Sequence, residues 1–146
     1  KGNLRGAEEC YRKAVEADPK YTNAHNNLGN VLNKKGDMRG AKEACRKAIE
    51  LSPNIANAHN NLGNALNKKG DLRGAEKAYR KAIELDWKRI DARLNLGNVL
   101  KARADAEEKK SGGGDPTVVA ALRKEAAEHW EAAATPAAAF SLRIGF

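Results

Sequence analysis

Asparagine is the residue type whose spacing could do chemistry. The chain holds Asn26, Asn27, Asn30 and Asn33, the equivalents Asn60, Asn61, Asn64 and Asn67 thirty-four residues on, and Asn95 and Asn98 in a third copy. A side-chain amide both donates and accepts, so it can pair with a peptide backbone bidentately whatever side chains that peptide carries. In a helix interior Asn is about 0.6 kcal/mol worse than Ala, so repeating it weakens every helix that bears it. Asn26, Asn30 and Asn33 fall at i, i+4 and i+7, one stripe of one helix. The competing reading is a solvated polar face copied along with the repeat.

Other chemistry finds no footing. The sequence has no Walker loop, no strand followed by a dinucleotide glycine motif, no HExxH, no CxxC and no GxSxG. The run Gly112 to Gly114 leads into Asp115, a carboxylate that would repel phosphate, and it reads as a linker. His25 and His59 occupy equivalent places and lack thiolates or carboxylates at ligand spacing, so they read as packing residues. Cys45 lies on an apolar face as a small hydrophobe, and Cys10 has no resolving thiol nearby. The sequence therefore predicts no enzyme, no metal site and no cofactor.

The elements that must position the asparagines come from a repeat. Offset by 34 residues, 21–54 and 55–88 share 24 of 34 identities, and 1–20 and 69–88 share 14 of 20. Identity at that period is the mark of a helical-pair solenoid. In the first helix of a unit Ala24, Leu28, Val31 and Leu32 recur at helical spacing, and Lys34, Lys35 and Gly36 close it. Asp37 caps the second helix, whose apolar face carries Ala41, Ala44, Cys45, Ala48 and Ile49, and Pro53 ends it. Gly29, Gly63 and Gly97 sit inside first helices at a cost of about 1 kcal/mol each, which predicts close approach of the paired helix.

These residues resemble the tetratricopeptide repeat. The likeness is carried by His25, Leu28, Gly29, Leu32, Ala41, Cys45, Ala48 and Pro53, then by His59, Leu62, Gly63, Leu66, Ala75, Tyr79 and Ala82, with Ala7, Tyr11, Ala14 and Pro19 leading. His stands where the family usually has Trp, Cys45 where it has an aromatic, and Trp87 where it has Pro. The resemblance implies an all-α, right-handed solenoid of antiparallel helix pairs whose first helices line a concave groove. It also implies that Asn27, Asn30, Asn61, Asn64, Asn95 and Asn98, with Asn26 and Asn60 beside them, face a bound peptide. AHNNLGN is most similar to the repeats of O-linked N-acetylglucosamine transferases, and no transferase domain follows it. A carboxylate clamp would need cations where Asn26, Asn60, Asp91 and Asn95 stand.

The organisation expected is a second helix of a truncated unit over 1–20, units over 21–54 and 55–88, and an atypical terminal unit or capping helices over 89–134. That last unit carries a Gly-rich insertion at 111–115, and a tail covers 135–146. In it Ala126, Trp130 and Ala133 repeat the spacing of Ala75, Tyr79 and Ala82. The chain reads as a piece of a longer protein, and two cysteines in 146 residues favour a reducing compartment. The partner expected is another protein, held as an extended peptide or a neighbouring subunit. Two rivals are a spacer docking through its edges, and a nucleic-acid surface built from the net charge of +8. The second is the weaker, because Lys34, Lys35, Arg39, Arg46, Lys47, Lys68, Lys69, Arg73, Arg80 and Lys81 sit at turns and outer faces without interleaved aromatics.

Overall fold

A computed structural model describes residues 3–110 and 112–135. The tail expected over 135–146 lies, apart from Thr135, outside the described residues. The described residues form seven helices in order: α1 Leu4–Ala17, α2 Thr22–Lys35, α3 Met38–Leu51, α4 Ala56–Lys68, α5 Leu72–Leu85, α6 Ile90–Glu108 and α7 Pro116–Ala134. Each packs on the next in sequence, and α2 also packs on α4, and α4 on α6. The result is an all-α solenoid of helical repeats.

Local chemistry sets the boundaries. α1, α3 and α5 are capped by Asn3, Asp37 and Asp71, whose side-chain oxygens accept from Gly6, Gly40 and Gly74 N–H at 2.9 Å each. Each such cap satisfies a donor the helix cannot, and is worth about 1 kcal/mol. Between α2 and α3, and between α4 and α5, Gly36 and Gly70 take φ of 89° and 81°, the left-handed region that ends a helix cheaply only at glycine. α6 has no such stop. It continues through buried Ala104 to Glu108, and the chain then turns through Gly112 and Gly113 to Asp115, which caps α7 by accepting from Thr117 N–H at 2.8 Å.

Two apolar clusters fill the interior. One joins Leu28, Leu32, Ala41, Ala44 and Ala65, with Tyr11 and Val15 against them. The other joins Leu66, Tyr79, Leu96, Val99, Leu100 and Ala126, with Trp130 and Leu122 packed on it. The interior glycines are the contact points between paired helices. A Cβ on Gly29 would lie 2.4 Å from Cys45 Sγ, one on Gly63 2.5 Å from the Tyr79 ring, and one on Gly97 2.4 Å from Trp130 Nε1. The helices meet too closely there for any side chain. Trp130 thus stands over α6 as Tyr79 stands over α4, even though α7 follows α6 only after a long turn.

Candidate binding face

The first helices α2, α4 and α6 carry the amides, and the structure links many of them to one another. Asn61 Nδ2 donates to Asn26 Oδ1 at 3.0 Å, and Asn95 Nδ2 to Asn64 Oδ1 at 3.1 Å. Asn60 Nδ2 donates to Asp91 Oδ2 at 3.0 Å, and Asn33 Nδ2 to the Asn61 carbonyl at 2.8 Å. Asn26 also donates to Asn27 Oδ1 at 3.4 Å. All but the Asn26–Asn27 bond cross from one first helix to the next, so the ladder is partly a zip between repeats. Burial divides the stripe read from the sequence.

Asn26, Asn60 and Asn61 are buried at 8%, 5% and 9% exposure, which places their amides inside the inter-repeat seam. Asn27, Asn30, Asn64 and Asn95 are half-buried and Asn98 is exposed. Among the described residues the side chains of Asn30 and Asn98 make no hydrogen bond, and that of Asn27 spends only its oxygen, so three amides along the face keep free polar atoms. Asn33 and Asn60 each hold a buried side-chain oxygen without a donor.

Electrostatics trims the basic surface. Lys35 pairs with Glu8, Lys47 with Glu50 at 2.8 Å, Lys81 with Glu84 at 2.6 Å, and Arg80 with both Glu76 and Glu125. Lys68 donates to the Asn33 carbonyl at 3.0 Å. Half of the ten cations that would make a polyanion-binding surface are thus already partnered. Among the described residues no three His, Cys, Asp or Glu side chains converge as metal ligands, and no helix is long and apolar enough to cross a membrane. Burial pushes the Cys45 thiol up to about 12, keeping it protonated and inert.

Sequence reasoning missed a latch at the repeat joints. His25 Nε2 meets the Pro19 carbonyl at 2.9 Å and His59 Nε2 the Pro53 carbonyl at 2.8 Å. In the third copy Arg93 takes the place, with Nε and Nη2 on the Trp87 carbonyl at 3.1 and 3.0 Å. The signal was present: a histidine kept at one register and replaced by a cation at its last occurrence.

The architecture defines a helical-repeat scaffold, a class that generally mediates protein–protein contact. A tetratricopeptide repeat family model matches residues 21–86 and a second model of the same repeat matches 1–36, and the chain belongs to the tetratricopeptide repeat family. A comparison with curated proteins returned no match. Among solved structures, MamA from Desulfovibrio magneticus RS-1 is 24% identical with a TM-score of 0.72, over 90% of this chain and 65% of that one. Another MamA structure is matched over 63% of its own chain, so this chain spans under two thirds of either. A mutant O-GlcNAc transferase from Thermobaculum terrenum is 25% identical with a TM-score of 0.70, over 88% of this chain and 22% of that one. The first TPR domain of human RPAP3 is 25% identical with a TM-score of 0.70, over 75% of this chain and 86% of that domain.

Proposed function

We propose that the chain is a protein-interaction scaffold that holds an extended segment of another protein along α2, α4 and α6, gripping its backbone through side-chain amides. Asn27, Asn30, Asn64, Asn95 and Asn98 are the contacting residues, while Asn26, Asn60 and Asn61 fix the spacing between the helices that present them. The α6–α7 pair serves as a terminal unit with an enlarged turn, its Trp130 doing for Gly97 what Tyr79 does for Gly63. One observation supports the reading: amides on successive first helices bond one another, Asn61 to Asn26 at 3.0 Å and Asn95 to Asn64 at 3.1 Å, and Asn27, Asn30 and Asn98 lie on those same helices.

The test is photocrosslinking in extract of the native source, with the reactive group at position 30, 64 or 98 and, as a control, at exposed Arg46 on α3. A partner captured through the first three and not through the last is expected. Its affinity should fall in the Asn27→Ala, Asn30→Ala, Asn98→Ala triple variant and depend only weakly on salt, since amide-to-backbone bonds release no counterions. Unchanged affinity in the triple variant overturns the groove.

A further inference from the structure

The first edge of the array repeats a surface that α3 and α5 bury. α1 and α5 are second helices of closely similar sequence, LRGAEECYRKAVEA and LRGAEKAYRKAIEL. On α5 the face made by Ala75, Ala78, Tyr79 and Ala82 is buried, and on α3 so is that of Ala41, Ala44, Cys45 and Ala48. The element that covers each is the preceding first helix, α4 on α5 and α2 on α3. On α1 the equivalent residues stay open: Ala7, Tyr11 and Ala14 are half-buried and Cys10 is exposed. Two polar groups of this edge have partners at the later joints and none here among the described residues. The Tyr79 hydroxyl donates at 2.8 Å to Oδ1 of Asn64, the residue after Gly63, whereas the Tyr11 hydroxyl bonds nothing. Asn61 Nδ2 and Asn95 Nδ2 each donate to an amide oxygen of the preceding first helix, at 3.0 and 3.1 Å, whereas the equivalent Asn27 Nδ2 has no acceptor.

We propose that this edge docks a helix of another protein, one that carries Leu-Gly-Asn and lies on α1 as α4 lies on α5. The apolar face, the hydroxyl and the amide all call for that one occupant. Glycine lets a helix settle on the Tyr11 ring, just as Gly63 does on Tyr79, where a Cβ would lie 2.5 Å from the ring. The asparagine after it accepts from the Tyr11 hydroxyl, and an amide oxygen of the same stripe accepts from Asn27. A second copy of this chain does not meet the requirement, because Gly29, Gly63 and Gly97 are already covered by Cys45, Tyr79 and Trp130. The docked helix stands at the head of the row α2, α4 and α6, so that one array continues another across two chains.

The experiment is fluorescence anisotropy of a labelled synthetic peptide with the sequence of residues 55–70, IANAHNNLGNALNKKG, against the full chain. Saturable binding is expected, weakened about tenfold or more by leucine in place of the peptide's glycine and about fivefold by alanine in place of the asparagine after it. Tyr11→Ala in the chain should weaken binding about tenfold or more. Ala7→Lys, which charges the face and spares the ring, should do the same and serves if Tyr11→Ala does not fold. In NMR spectra the peptide should shift the backbone amides of α1 and the side-chain amide of Asn27. Shifts centred on Asn64 and Asn98 instead put the peptide in the groove and overturn the proposal. So do an absence of saturable binding and equal affinity for the glycine and leucine peptides. Self-association of the chain through α1 that the peptide does not compete away assigns the face to a second copy and overturns it too.

Discussion

The Tyr79 hydroxyl on α5 donates to Asn64 Oδ1 on α4 at 2.8 Å, and the same oxygen accepts from Asn95 on α6 at 3.1 Å. One ring therefore ties the interior of a helix pair to the polar track on its surface. Burial, with Asp91 acting in the same sense, raises the Tyr79 pKa and keeps the hydroxyl a donor. Removing only that oxygen with Tyr79→Phe should cost about 1 kcal/mol, because Asn64 keeps its bond from Asn95. Tyr79→Ala should cost about 3–5 kcal/mol, since the ring is 1% exposed and fills the space over Gly63. Urea denaturation of the two variants measures both, and similar losses would deny the ring its packing role.

The asparagines divide into two classes with opposite expected effects. Asn61→Ala gains helix propensity, about 0.6 kcal/mol, but strands the buried Asn26 oxygen, at about 1–3 kcal/mol, and should destabilise. Asn98→Ala leaves no partner behind on an exposed face and should stabilise by about 0.6 kcal/mol. Thermal melts of the single variants decide it. If both variants are stabilised, the seam between repeats contributes nothing beyond propensity.

That division was not legible in the sequence, and the reason is geometric. Periodicity within one helix put Asn26 and Asn30 on a stripe, and Asp37, Gly36 and Gly29 could be read as cap, stop and close contact, because those features depend on neighbours a few residues away. Whether Asn61 faces Asn26 or a ligand depends on how two first helices stack, which no single helix encodes. Arg93 escaped notice for a related reason. One substitution at a repeat position reads as drift until its burial and its bonds to the Trp87 carbonyl are seen. Cys45 shows the converse: its place at the aromatic position was plain, but only the structure sets it over Gly29 and reveals that Tyr79 gives Asn64 a hydroxyl donor that Cys45 cannot give Asn30.

Gly97→Ala tests the contact between α6 and α7. Alanine would gain about 1 kcal/mol of helix propensity, but its Cβ would meet Trp130 at 2.4 Å, and overpacking of that kind costs about 1–3 kcal/mol. A net loss of stability is expected, with the fluorescence of Trp130 shifted as the ring is displaced. Gly112→Ala, in the exposed turn where φ is 96° and no atom crowds the site, should cost only backbone strain and leave the tryptophan signal unchanged. Equal spectral effects would mean that Trp130 does not rest on Gly97.

His129 makes the attachment of α7 sensitive to acid. Its Nδ1 is buried without a partner, and Nε2 lies 3.7 Å from Glu125 of its own helix. Burial lowers its pKa from 6.5, with Glu125 opposing and Arg93 of α6 and Arg80 of α5 reinforcing the shift. The folded chain therefore holds His129 neutral at a pH where the unfolded chain takes up a proton. Stability from this group is complete above pH 6.5 and declines as pH falls from there towards the folded pKa, with a slope no steeper than about 1.4 kcal/mol per pH unit for one proton. Glu125, whose pKa is held below 4.5 by Arg80 against the opposing effect of burial, adds its loss only at lower pH. His129→Gln should flatten the stability curve between pH 6.5 and 4.5 while leaving the steeper acid limb in place. If the variant and the parent chain lose stability in parallel across that interval, the titrating group lies elsewhere.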